Sequence, residues 1–124
     1  MKPPFAIEYI KDGNYLRIKV NVSVTRDLAD QFVAQAEADG ARLGCNGYLI
    51  DVRGVTNESS VHDNFQFSVD DLDDMVDELG IRRAVLVDES DETHDLAILA
   101  MCEAGLNMRK FTDEQQAMRW LLGG

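Results

Sequence analysis

From Tyr15 to Val22 apolar and polar residues alternate, with Leu16, Ile18, Val20 and Val22 set against Arg17, Lys19 and Asn21. A period of two over that length predicts a strand with one buried and one wet face. A second strand is predicted from Phe5 to Lys11, and Asp12-Gly13 between the two is a dipeptide that tolerates positive φ in a tight hairpin turn. Leu28, Phe32, Val33 and Ala36 then recur at helical spacing behind Thr25, whose hydroxyl can cap a helix starting at Arg26, and Gly40 is the expected stop. Gly47 to Gly54 reads GYLIDVRG. Its near-continuous apolar run suits a strand covered on both faces, the middle of a sheet.

Beyond it, Val61, Phe65, Val69, Leu72, Val76 and Leu79 form a helical stripe, with Ser60 and Asp63 at capping-box spacing and Gly80 as the end; Ser68 with Asp71 offers a later start. Ala84 to Val87 predicts a short buried strand, residues 93–104 a helix closed by Gly105, and Met108 to Phe111 a last strand. Thr112 and Gln115 suggest a capping box for a final helix that buries Ala117, Trp120 and Leu121. The predicted order is ββαβαβαβα: an α/β domain spanning residues 1–124, with a mixed, mostly parallel sheet, an N-terminal antiparallel hairpin and four helices.

Charge narrows the classes of partner. Twelve Lys and Arg against 23 Asp and Glu give a net charge of -11, which repels phosphate backbones and argues against nucleic acid. The longest unbroken apolar run, Leu96 to Cys102, is too short to span a bilayer, and the N-terminus has no signal-like apolar core. A cytoplasmic protein without membrane insertion is expected. Cys45 and Cys102 lack any metal or redox spacing and read as free structural thiols, Cys102 within a core run.

The order of elements, with IDVRG (Ile50 to Gly54), RRAVLVDES (Arg82 to Ser90) and KFTDEQQAMRWL (Lys110 to Leu121), resembles the SpoIIAA-like family of STAS-fold proteins, related to anti-sigma factor antagonists. The resemblance covers nearly the whole chain and implies a regulatory or protein-interaction module rather than an enzyme. It also implies a working loop after the central strand, where the antagonists carry a phosphorylated serine at a helix N-terminus. Here that stretch reads VTNESSVHD, which makes Arg53, Ser59, Ser60 and His62 the candidate interaction or phospho-switch loop. Glu58 stands where those proteins have Asp, and Val61 where they have Gly. The simpler role for Ser60 is a helix cap.

Chemistry is expected, if anywhere, at the carboxyl edge of the sheet, where Asp51, Arg53 and Asp88 would gather. Three charges define no reaction, and no catalytic constellation or cofactor motif accompanies them. The acidic stretch Asp88 to Asp95 lacks the order of a metal-binding loop, so no metal is assigned. IDVRG and Cys102 to Arg109 faintly match the rhodanese pattern, but Cys102 falls in a helix rather than an anion loop after a strand. His62 and His94 read as exposed or capping residues; Ser60 or Ser90 with His94 would be the first hydrolase pairing to check, without any nucleophile elbow to support it. Two functions follow: an acidic module seeking a basic protein face, or a binder of a small apolar or nucleotide ligand lined by Phe65, Phe67, Met75, Met101 and Met108.

Overall fold

The computed structural model describes residues 3–58 and 81–123. Five strands, β1 (Phe5–Ile10), β2 (Tyr15–Val20), β3 (Gly47–Asp51), β4 (Arg82–Leu86) and β5 (Met108–Phe111), lie side by side in that order. The β1–β2 pair is antiparallel and the remaining three pairs are parallel. β3 is therefore the central strand, as its sequence requires. Three helices belong to the described residues: α1 (Arg26–Leu43), α2 (Asp95–Glu103) and α3 (Glu114–Leu121). The helix expected over residues 60–79 lies outside the described residues.

Connections between neighbouring parallel strands are right-handed, so crossovers advancing in one direction along a sheet fall on the same face. α1 joins β2 to β3, α2 joins β4 to β5, and both cover the face that carries Ile18, Val20, Val52, Val85 and Val87. α3 follows the last strand and covers the opposite face, where Ala117 and Leu121 pack on Leu49, Ala84 and Leu86.

Three expected punctuation marks are displaced. The hairpin turn takes four residues, and the left-handed conformation falls on Asn14 (φ 51°) instead of Gly13. Asn14 is suited to it because its side chain is spent locally: Oδ1 accepts from Tyr9 Oη at 2.7 Å and Nδ2 donates to Gly44 O at 3.0 Å. Helix α3 is capped by Asp113, whose Oδ1 accepts from the N–H groups of Gln115 (2.8 Å) and Gln116 (3.3 Å), so Thr112 is not the cap. α1 runs past Gly40 to Leu43, and Gly44, with φ 65°, closes it. Thr25 caps its start as expected, accepting from Leu28 N at 3.2 Å.

Gly40 is there for space. A Cβ at this buried position would overlap Tyr48 Oη and stand 2.9 Å from its Cζ and 3.0 Å from Cys45 Sγ. Tyr48 is itself buried and fixed under Arg83. Gly40→Ala would ordinarily strengthen a helix by about 1 kcal/mol, yet overpacking at a fixed aromatic costs about 1–3 kcal/mol. The substitution is expected to lower the urea midpoint; an unchanged or raised midpoint would show that Tyr48 moves freely.

Two further expectations are corrected. Cys45 is buried, but Cys102 is exposed, its Sγ donating to Met108 O at 3.1 Å, because it faces away from the Ala100 and Met101 side of α2. His94, expected at the surface or as a cap, is buried and makes no cap bond. It precedes α2 on the covered face of the sheet.

Candidate functional site

The carboxyl edge of the sheet assembles the charges that the sequence placed there. Asp51 ends β3 at 1% exposure. Its carboxylate accepts from Arg53 N, Nε and Nη2 at 3.1, 3.0 and 2.9 Å and from Arg17 Nη2 at 3.2 Å, with Lys19 Nζ 3.5 Å away. Arg17 and Arg53 both reach on to Glu114 Oε1, at 3.2 and 2.9 Å. Burial pushes the Asp51 carboxyl upward, but the side-chain and backbone hydrogen bonds of Arg53, with Lys19 beside it, hold it below the usual carboxylate range. Asp88 accepts from Gly54 N at 2.6 Å, and Gly54 takes φ 82° to present that N–H. Asp51, Arg53 and Asp88 are thus brought to one edge and committed to one another and to the backbone. Ser59, Ser60 and His62 lie outside the described residues, as do Phe65, Phe67 and Met75.

Two more carboxylates of the acidic stretch after β4, Asp91 and Asp95, are engaged in the same way. Asp91 Oδ1 accepts from Thr93 N and Oγ1 at 2.8 and 2.6 Å, and Asp95 Oδ1 from Lys110 Nζ at 2.6 Å. Burial raises the Asp91 carboxyl, but the two Thr93 bonds and the nearby His94 and Lys110 leave it lowered. Among the described residues no three His, Cys, Asp or Glu side chains converge on a point that could hold an ion. Ser90 lies at the exposed turn, while the His94 ring donates from Nε2 to Val55 O at 3.0 Å.

That bond belongs to a brace around residues 52–58. Val24 N donates to Thr56 O and Glu58 N to Val24 O, at 2.8 and 2.7 Å, pinning the loop to the approach to α1. Asn57 N donates to Thr93 Oγ1 at 2.9 Å, pinning it to the approach to α2. The loop after the central strand is a fixed bridge between the two helices.

Under that bridge runs a groove that local sequence does not announce. Among the described residues, Ile18, Ile50, Val52 and Val85 form its floor, and Ala29 and Val33 of α1 with Ala97, Ile98 and Met101 of α2 form its walls. Polar residues stand at its two ends. At one, Arg83 Nη2 meets Glu37 Oε1 at 2.6 Å, with the guanidinium 5.1 Å above the Tyr48 ring. Burial, followed by the Glu37 hydrogen bond, raises the Tyr48 phenol above its ordinary pKa. At the other stand Arg26, Asn57 and His94. Of the apolar residues expected around a ligand, Met101 and Met108 are present. Glu37 was legible in one respect: it stands four residues after Val33 and three before Gly40, inside the buried stripe of α1.

With a 1-2-3-4-5 sheet, one antiparallel edge strand, two crossover helices on one face and a closing helix on the other, the architecture can be matched to a known one. A crystal structure of an uncharacterized DUF3478-family protein from Shewanella loihica PV-4, described as having a SpoIIAA-like fold, superposes with a TM-score of 0.55, 94% of this chain and 91% of that chain being covered at 21% identity. The fold is SpoIIAA-like. No protein-family model and no curated protein matches the chain. The central strand is where its apolar run predicts it. No described helix is long and apolar enough to cross a membrane.

Proposed function

We propose that the protein is a non-enzymatic regulatory module that binds a small molecule between α1, α2 and the sheet. The lining contributed by the described residues supports this reading: Ile18, Ile50, Val85, Ala97 and Met101 are apolar, and Arg26, Glu37, Asn57, Arg83 and His94 stand toward its ends, the usual make-up of a ligand site. The charged edge supports it from the other side, because Asp51, Arg53 and Asp88 are held by protein partners in the manner of a structural lock. The two unbridged thiols, Cys45 and Cys102, go with a cytoplasmic setting.

Gentle isolation from its own cells, followed by native mass spectrometry and a thermal-shift screen, is expected to reveal a retained or stabilising small molecule. A bare mass with no stabilising compound would count against the reading.

A second reading, docking of another protein on residues 52–58, is favoured by the brace. A loop already fixed to Val24 and Thr93 loses little freedom on binding. A partner with a basic face would suit the acidic chain, and its association would weaken with added salt. A co-isolated protein whose release is indifferent to salt would argue against that face.

A further inference from the structure

We infer that β1 is the seam of a symmetric dimer: a second copy of this chain pairs antiparallel along it, centred on Ile7, and joins the two sheets into one. Among the described residues the sheet has two edges, and they differ in kind. β5 has only four residues, carries Arg109 and Lys110, and its Met108 carbonyl accepts from Cys102 Sγ of α2 at 3.1 Å. Short length, cations and a neighbouring helix are the usual protections of an edge strand. β1 runs six residues, pairs with β2 without a bulge, and holds no Lys, Arg or Pro. Its single charge is Glu8, so in a chain of net charge -11 this is a stretch along which two copies can meet with little repulsion.

The outward-pointing groups set the register. Asn21 N donates to Pro4 O at 2.8 Å, so Pro4, Ala6, Glu8 and Ile10 face β2. Phe5, Ile7 and Tyr9 turn their N–H and C=O groups the other way, toward no described strand. Centring the pair on Ile7 sets Phe5 of each copy opposite Tyr9 of the other, and every one of those groups gains a partner. The seam then carries a cross-strand aromatic pair on either side of its twofold axis. A register centred on Glu8 would set two carboxylates against each other, and one centred on Ala6 would set Tyr9 against Pro3, which has no N–H to give.

Charge on the other face favours the same register. Across the β1–β2 pair Glu8 stands beside Arg17, and Ala6 beside Lys19. With Ile7 at the centre, Glu8 falls opposite Ala6 of the second copy, so the row across the seam runs Arg17, Glu8, Ala6, Lys19. Ala6 is exposed and short, which opens a path from Lys19, its side chain 40% exposed, to the carboxylate. The separation is two strand spacings, about 10 Å, which two long side chains span between them. On the face covered by α1, which packs over β2, the two copies of β2 are about 14 Å apart. Helices pack at about 8–10 Å, so the two α1 helices do not collide.

The test is sedimentation velocity on the full chain over a concentration series, with amide hydrogen exchange followed along β1. A dimer is expected, with the amides of Phe5, Ile7 and Tyr9 becoming slower to exchange as concentration rises. Ala6→Glu sets a like charge against Glu8 twice, by symmetry, and is expected to weaken the dimer about tenfold while the circular dichroism spectrum is kept. Ala6→Lys, of similar bulk and opposite sign, is expected to retain it. A monomer throughout the series would overturn the inference, whether those amides are protected or not. So would a dimer that is indifferent to Ala6→Glu and leaves the three amides exchanging freely.

Discussion

Glu37→Gln is expected to lower the unfolding free energy by about 3 kcal/mol, one of the two largest single-residue effects anticipated in this protein. Arg83 is 3% exposed, with its guanidinium on the Glu37 carboxylate and over Tyr48. Neutralising Glu37 removes one counter-charge from a buried cation, and the amide cannot replace a charge-assisted bond of that kind. For a chain of this length the loss corresponds to a fall in Tm of roughly 10 °C. Replacing both partners together, Glu37→Leu with Arg83→Met, is expected to recover most of the loss, since exchanging a whole buried pair for apolar groups is often neutral. Urea denaturation of the single and double variants decides the matter. A single variant within about 0.5 kcal/mol of the parent would mean that other partners of Arg83, or water, make up for Glu37.

Asp51→Asn is expected to cost about 2–3 kcal/mol, less than for a fully buried pair because Arg17, Lys19 and Arg53 keep partial access to water. Its pH signature distinguishes the charge effect from a packing effect. The folded-state pKa of Asp51 is depressed below its unfolded value. The unfolded state therefore binds the proton more readily, and stability from this group is present above the unfolded pKa of about 4 and lost as pH falls through the folded value. The gap between parent and variant should hold from pH 8 down to about pH 5 and close in stronger acid. A gap that persists unchanged at pH 2 would assign the loss to packing.

What was legible in the sequence followed from local chemistry. Alternation in β2, the apolar run of β3 and the capping residue Thr25 each act within a few residues, and each is where its local pattern predicts. The failures share the opposite cause. Gly40 resembles a helix stop because glycine destabilises helix interiors, but Tyr48, which follows in the next strand, needs the space a side chain would take. His94 resembles a surface cap until residues 52–58 pass over it and Val55 O comes to accept from its ring. Glu37 and Arg83 are far apart in the chain, and neither has a neighbour that explains it. Asp51, Arg53 and Asp88 were legible because strand ends collect charges in α/β sheets; Arg17, Lys19 and Glu114, which join Asp51 and Arg53, come from a neighbouring strand and the last helix, and nothing near them in the chain signals it.

Asn14 has a consequence for where this chain can be opened. Its side chain binds Tyr9 Oη and Gly44 O, and its own carbonyl accepts from Asn46 N at 2.7 Å, so one residue of the hairpin turn fastens β1, the end of α1 and the entry to β3. An exposed turn is ordinarily the natural place to introduce new termini. Here a circular permutant opened between Gly13 and Asn14 should be markedly less stable than one opened between Glu89 and Ser90, and trypsin should cleave at Lys11 slowly for the same reason. At the surface of this sheet, accessibility and dispensability are different properties.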